Sequence, residues 1–531
     1  MSEVNATSPQ AKAGRKEWIA LGVLLLPVLL VSMDLTVLYF AVPSISRDLQ
    51  PTSTEQLWLI DMYGFVLAGV LITMGSLGDR IGRRRLLLIG AAAFGIGSVA
   101  AAYAGNPTIL TAARALQGIG GATLMPSTLA LIRNLFHDQT QRRTAVAVWS
   151  TGMAAGAALG PVVSGALLSQ FWWGSIFLIN VPVMIVLLVL GPLLLPEFRT
   201  AVAGRFDLLS SALSLAAVLP VIYGFKKIAL DGVQPLPALS IVVGLFFAWV
   251  FVRRQRTTPH PVIDIELFRY RTFVPSLSAN MLASFTLVGY SLFSTQYLQS
   301  VLGMSALRSA LWTLPGTVAV GAAIPVATML VRTVRPAYII GGGFTIATLA
   351  LLMLTRLPAE DGLLMLLIGI IALAVGLTPV LTLVTEMVVG QAPPDKAGSA
   401  SALLQTGQEF GGALGIAVLG SVGATVYRHS SALDSPDGVP AAALESARQT
   451  IGGALAAAEQ LPARAADSLI RAAREAFTIE VHAASYAAAA VMALAAIGAT
   501  IALRSIKSDT ERIAESAEPG RATETASVLD Q

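Results

Sequence analysis

Gly152-Met-Ala-Ala-Gly156-Ala-Ala-Leu-Gly160-Pro161-Val-Val-Ser-Gly165 spaces its glycines by four, four and five, and the same spacing returns at Gly407, Gly411, Gly415 and Gly420, offset by 255. At that offset Gly121 answers to Gly376 and Trp18 to Phe273. One coincidence in a glycine-rich chain is weak, but several at a single offset read as a duplication. Both ladders lie in apolar runs of helical length, where glycine at every fourth residue lets two membrane helices meet backbone to backbone. Pro161 adds a bend to the first ladder. The chain therefore reads as two similar halves in the same orientation, an arrangement that suits alternating access around a site near the midplane.

Working outward, the 531 residues are 55% hydrophobic and 12% charged, with a mean hydropathy of +0.72. A soluble domain carries about 25% charged residues, so too little polar surface exists here to cover several such domains. Apolar runs long enough for a hydrocarbon core of ~30 Å stand at 18–43, 55–78, 86–104, 107–131, 143–169, 174–196, 208–227, 236–252, 273–300, 308–331, 337–355, 363–389, 399–427 and 480–503. The fold class expected is an all-α polytopic membrane protein with fourteen spans. The alternating stretches of a β-barrel are absent from the sequence. Six spans occupy an N-terminal bundle (18–196), two lie in a linker (197–272), and six form a C-terminal bundle (273–503). Residues 1–17 and 504–531 form polar ends. Segment 428–479 is the one long connection, Ala-rich and amphipathic, read as an external helical hairpin, a solvated spacer in preference to a lid.

An even number of spans puts both termini on one side. The N-terminal segment and every second connection hold 24 Lys and Arg against 10 in the opposite connections. Half of those 10 sit in 428–479, and long loops barely influence orientation, so both termini are expected in the cytoplasm. The first apolar run is too long for a signal peptide and lacks a small-residue cleavage site, so it is expected to stay in the membrane. With no cysteine, and with His137, His260, His429 and His482 scattered, neither thiolate chemistry nor a metal site is expected. A net charge of +4 suggests no nucleic-acid surface. The 29 arginines against 6 lysines fit a GC-rich bacterial genome, hence a plasma (inner) membrane.

Between spans 2 and 3 stands Gly75-Ser-Leu-Gly78-Asp79-Arg80-Ile-Gly82-Arg83-Arg84-Arg85. A positive-inside loop explains its arginines but not the placement of its glycines and aspartate. In this stretch the chain resembles the major facilitator superfamily, whose signature loop reads this way. Arg114-Ala-Leu-Gln117-Gly118-Ile-Gly120-Gly121 in span 4 resembles a second family motif, and the ladder from Gly152 to Gly165 resembles the antiporter motif of exporters. Asp34-Leu-Thr36-Val37 in span 1 and Trp58-Leu-Ile-Asp61-Met-Tyr63 in span 2 resemble the fourteen-helix drug:proton antiporter branch of QacA-type exporters. The second half departs from the pattern: Leu330-Val-Arg332-Thr-Val-Arg335-Pro336 lacks the Gly and Asp of a second signature loop, and span 10, with Val320, has no acid.

The resemblance implies a monomeric, proton-driven exporter of lipophilic cations, without cofactor, that touches membrane lipids and protons. Conformational gating would fall to Gly75, Gly78, Asp79, Arg80, Gly82 and Arg83, with Gly152, Gly156, Gly160, Pro161 and Gly165. An ionisable residue inside a span costs about 2.5–3.5 kcal/mol on insertion scales, and function is the default reading. Asp34 lies roughly 14 Å deep at ~1.5 Å per residue. It is a proton-coupling carboxylate acting with Arg114, or the acid of a structural pair. Asp61 and Glu409 are candidates for both proton and cation binding, and Glu386, nearer the cytoplasmic end, for cation binding. Tyr63, Phe285, Tyr290, Phe293, Gln296, Tyr297 and Trp312 offer faces to a flat cation, or lie against lipid. Export of an endogenous metabolite or lipid would use the same machinery. An embedded enzyme or sensor is disfavoured: the sequence holds no H-E-x-x-H and no nucleotide loop.

Overall fold

The computed structural model describes residues 13–198, 208–231, 234–258, 265–391, 397–434, 436–504 and 506, and no β-strand occurs among them. The first bundle comprises α1 (Arg15–Leu49), α2 (Ser53–Ile81), α3 (Arg83–Ala102), α4 (Pro107–Leu135), α5 (Gln139–Gln170), the single turn α6 (Ser175–Leu178) and α7 (Asn180–Leu194). A pair follows, α8 (Leu208–Asp231) and α9 (Pro235–Thr257). The second bundle holds α10 (Phe273–Gln296) with a π-turn over Tyr297–Val301, α11 (Ala306–Leu330), α12 (Pro336–Leu354), α13 (Leu363–Gln391), α14 (Ala397–Arg428), α15 (Ala441–Ala447), α16 (Ile451–Ala458) and α17 (Ala463–Leu503).

Each predicted span falls on a helix. Among the described residues, eleven helical segments are long and apolar enough to cross a membrane. The other three predicted spans are α2, α8 and α10, of 29, 24 and 24 residues. α10 is less apolar because it buries Ser276, Asn280, Ser284, Thr286, Ser294, Thr295 and Gln296. Helix starts follow local chemistry. Thr52 and Glu55 form a capping box on α2. The Asn106 side chain accepts from the Ile109 amide ahead of Pro107, and that of Asp138 from the Gln141 amide.

Buried apolar side chains gather into one cluster over α1–α7 and a second over α10–α17. A small third cluster, Phe65, Ile222, Ala413 and Ala417 with Trp58 and Val218, ties α2, α8 and α14 together. The inserted pair is thereby docked beside the seam between the bundles.

The glycine ladders do in the fold what their spacing suggests. A Cβ on Gly156 would strike the Leu29 carbonyl, and one on Gly160 would stand 3.1 Å from that of Met33, so α5 crosses α1 backbone to backbone. In the second bundle Gly411 faces the Met281 carbonyl and Gly415 that of Phe285, which sets α14 on α10. The partners, Leu29 and Met281 or Met33 and Phe285, stand 252 apart where the ladders stand 255 apart. The second crossing is therefore slid by three residues, just under one turn.

The last rung of each ladder reaches across the seam. A Cβ on Gly165 would come 2.5 Å from Leu307 Cα in α11, and one on Gly420 2.5 Å from Leu57 Cδ2 in α2. The fifth major helix of each bundle thus meets the second of the other. These contacts lie toward the end of the molecule that carries 428–479, the loop end; the opposite end, which carries the termini, is the terminal end. At the loop end Gln299 Nε2 also donates to the Phe40 carbonyl at 3.1 Å, and Ser53 Oγ donates to the Gln449 carbonyl.

Segment 428–479 is not a solvated spacer. Leu433, Ala447, Ile451, Ala454, Leu469 and Ala473 are buried in the second cluster. α16 packs on both α17 and α1, and Tyr427 Oη donates to the Ala447 carbonyl at 3.0 Å. Its charges line one side while a small-residue face, mostly alanine, buries the other. α17 consequently begins at Ala463, 17 residues before the predicted span.

Candidate functional site

Helices α1, α3, α4 and α7 converge on one buried polar network. Arg114 Nη1 donates to Asp34 Oδ2 at 2.5 Å and to Gln117 Oε1 at 3.1 Å. Gln117 Nε2 donates to Ser98 Oγ at 2.9 Å, and Asn180 Nδ2 reaches Ser98 Oγ at 3.2 Å and Asp34 Oδ1 at 3.4 Å. Asp34 is 5% exposed and Arg114 2%, so this is an ion pair removed from water and held by amide and hydroxyl groups on both sides. Such a pair is costly to break by halves, at about 3–5 kcal/mol when one partner is removed. The guanidinium lies 4.6 Å from the Tyr63 ring centroid and 5.8 Å from that of Phe177. Tyr63 is therefore a floor beneath Arg114, set edge-on to Phe94, and not an open face for a cation.

Asp61 is fully buried on α2. Glu409, half-buried in the middle of α14, accepts from Gln405 Nε2 at 2.8 Å. Two tyrosines connect these charges. Tyr39 of α1 stands near Ser291 of α10 across the seam and lies within electrostatic reach of Asp61, Arg114 and Glu409. Tyr63 lies within reach of Asp34, Arg114 and Glu409. The structure thus brings Asp34, Asp61 and Arg114 of one bundle and Glu409 of the other around Tyr39 and Tyr63.

Other predicted residues fall elsewhere. Glu386 is exposed on α13 near the terminal end and joins no part of this cluster; a span boundary placed close to water made that position inexpensive. Phe285, Tyr290, Phe293 and Tyr297 belong to the apolar core of the second bundle. Tyr290 Oη hydrogen-bonds Ser485 Oγ at 3.1 Å, and Tyr297 Oη donates to the Pro358 carbonyl. The rings of Phe285, Tyr290 and Tyr297 are packing groups. Trp312 is half-buried on α11. Gln296 and Phe293 line a separate cavity at the loop end.

At the terminal end Gly82 joins α2 to α3 with φ +110°, and the Glu197 carboxylate occupies the space where a Cβ would stand. Only glycine suits both conditions. Glu197 accepts from the Arg84 amide at 3.1 Å and pairs with the Arg84 and Arg85 Nε atoms at 3.6 and 3.9 Å. The Gly78 position abuts Arg83, and Arg80 is exposed. Gly75 and the side chain of Asp79 lie outside the described residues.

Sequence reading missed Tyr39, Ser98, Asn180 and Glu197. Hydroxyl and amide groups in apolar runs carry no local signal of a partner 82 or 146 residues away. Glu197, just past a span and next to an arginine-rich connection, had a readable charge signal.

The model of the Major Facilitator Superfamily matches residues 24–416. Among curated proteins, "Multidrug efflux pump LfrA" of Mycolicibacterium smegmatis is 40% identical, covering 94% of this chain and 99% of its own. "Methyl viologen resistance protein SmvA" of Salmonella typhimurium is 35% identical over 91% and 97%. "Tetracenomycin C resistance and export protein" of Streptomyces glaucescens is 31% identical over 95% of each. Among solved structures, a bacterial homolog of the human lysosomal transporter Spinster aligns with a TM-score of 0.63 at 19% identity, covering 93% of this chain and 98% of that one. That likeness concerns the fold.

Proposed function

The chain belongs to the Major Facilitator Superfamily, and on that premise we propose that it is a proton-coupled efflux antiporter for lipophilic, mainly cationic compounds. It crosses the plasma membrane of a bacterium fourteen times, with both termini in the cytoplasm and the loop end outside. The observation that carries this reading is the cluster of three acids and one arginine around Tyr39 and Tyr63, split between the two bundles. Full-length similarity to proteins named for multidrug efflux and for methyl viologen resistance supports the cargo class.

The mechanism follows from charge. An acid inside a span without a cation beside it is expensive in a membrane, so Glu409, whose hydrogen-bond partner is the neutral Gln405, holds either a proton or the charge of the cargo. Arg114 keeps Asp34 occupied in the present state, with both Asp34 oxygens engaged. When the bundles rock, the seam closed by Gly165 and Gly420 opens at the loop end, and a shift of α1 against α4 inside the first bundle lets Arg114 release Asp34 to exchange a proton. Proton and cation compete for the same negative charge, and this competition couples their movements, because a ligand shifts an equilibrium only by its differential affinity for the two states. The Gly82 turn and its Glu197–arginine contacts hold the terminal end of α2 against α3 and α7 during that motion.

The test uses purified protein in liposomes with an imposed pH gradient and ethidium as cargo. Gradient-driven transport is expected, abolished by a protonophore and by Asp34→Asn. Transport insensitive to the protonophore would overturn proton coupling. Absence of transport across several cations by folded protein would instead point to a metabolite or lipid as cargo.

A further inference from the structure

A second acid stands on the seam, outside the cluster around Tyr39. Glu480 of α17 faces a cavity at the loop end whose walls come from both bundles: Gln56 of α2, Phe293 and Gln296 of α10, Tyr427 of α14 and Gln449 of the capping segment. None of the lining residues is Lys, Arg or His. The other polar groups are largely engaged. Gln56 Oε1 accepts from Ser46 Oγ at 3.1 Å, Tyr427 Oη donates to the Ala447 carbonyl at 3.0 Å, and Thr450 Oγ1 accepts from the Gly453 amide at 3.0 Å. The carboxylate is pressed by its neighbours: a Cβ on Gly423 would stand 2.8 Å from Glu480 Cγ and 2.9 Å from Oε1. Bases on the same helix turn elsewhere, Arg474 Nε to the Ser300 carbonyl at 3.2 Å and His482 Nε2 to the Leu357 carbonyl at 2.7 Å. Tyr427 is the one other titratable group on the cavity wall, and Tyr290 on α10 is engaged with Ser485.

We infer that Glu480 is a second proton-exchange site, placed on the seam so that closure of the loop end takes up a proton. When the bundles part, Ser53, Gln56 and Leu57 leave with α2, and Glu480 faces water as a hydrated anion. When they close, as here, it is left half-buried against a wall with no positive charge, having lost much of its water, a cost that a bound proton removes. A proton arriving from the loop end thereby favours closure, the direction an antiporter needs after releasing its cargo. The inference uses the alternation of the bundles proposed above but not the identity of the cargo.

The chain contains no cysteine, so spin labels at Arg47→Cys on the first bundle and Glu360→Cys on the second, both exposed, report opening at the loop end. Full-chain protein in lipid nanodiscs is titrated from pH 5 to 9 without cargo, and the open-to-closed ratio is read from the distance distribution. The open fraction is expected to rise with pH. In Glu480→Gln the slope of the logarithm of that ratio against pH falls by about one proton, with the closed state held at high pH; Glu480→Asp retains the slope. A Glu480→Gln curve superimposed on wild type overturns the inference while leaving alternation intact. A single distance at every pH overturns both. Ethidium transport by the same preparation reports separately on the cargo.

Discussion

The two bundles share a backbone plan and differ in where they put charge. At the offset of the glycine ladders Asp34 corresponds to Gly289, Asp61 to Gly316 and Arg114 to Gly369, while Glu409 corresponds to Ala154. One bundle thus holds an ion pair fixed by Gln117, Ser98 and Asn180. The other has glycine at both positions and brings to the cluster one acid, Glu409, hydrogen-bonded by the neutral Gln405. Gly289 uses the absence of a side chain to meet the Gly415 backbone, 2.7 Å from where its Cβ would stand. The two crossings follow one plan; one lies beside a buried ion pair, and the other closes glycine on glycine with Glu409 on the same helix. In the proposed mechanism the symmetric part of the fold carries the motion and the asymmetric part carries the chemistry.

The largest effect is expected from breaking the paired side by halves. Arg114→Gln leaves Asp34 buried without its cation and should lower stability by about 3–5 kcal/mol, read as thermal unfolding in detergent. Adding Asp34→Asn to it should restore much of that stability but no transport. Full transport by the double variant would make the pair a purely structural one.

Next comes the close-packed side. Gly415→Ala drives a methyl into the Phe285 carbonyl and should cost about 1–3 kcal/mol. Gly152→Ala meets only the Leu25 side chain, at 3.2 Å, and should fall below about 1 kcal/mol, the lower end of the overpacking range. Equal costs in the same unfolding assay would deny the ladders their graded role.

Glu409→Gln should leave stability within about 0.5 kcal/mol, since a half-buried glutamine can still meet Gln405, while gradient-driven ethidium transport is lost. A loss of stability as large as that of Arg114→Gln would place Glu409 in the structural class. The smallest effect belongs to Glu386→Gln, expected to change neither stability nor transport, because that side chain is exposed outside the cluster. A transport defect there would extend the cargo path to the terminal end of α13.

The helices were legible because length and apolarity decide them locally, and the ladders were legible because small residues at fixed intervals have one main use in a membrane. The acids of spans 1, 2 and 13 stood out because charge is rare there. Partner choice was not legible. Asn180 and Ser98 become informative only when α7 and α3 meet Asp34 and Gln117. Tyr39 matters only when α10 brings Ser291 to it. Aromatic residues of α10 looked like a cargo surface because aromatic character does not distinguish a core face from a cavity wall. Segment 428–479 misled for the opposite reason: alanine is weakly apolar residue by residue, yet a face of it packed on α17 excludes water as leucine does. That error also placed Glu480 at a span boundary and hid its position on the seam.

The central claim is a division of labour within the proposed mechanism: Glu409 holds a proton or the cargo's charge in turn, while Asp34, released by Arg114, exchanges a proton without touching the cargo. Equilibrium binding of ethidium to purified wild type, Asp34→Asn and Glu409→Gln tests it without requiring transport. Glu409→Gln is expected to weaken binding at least tenfold, a loss of about 1.4 kcal/mol or more, and Asp34→Asn to leave it within about twofold, ~0.4 kcal/mol, although its transport is abolished. Weakened binding in Asp34→Asn with unchanged binding in Glu409→Gln would contradict the division and move the cargo site onto the first bundle.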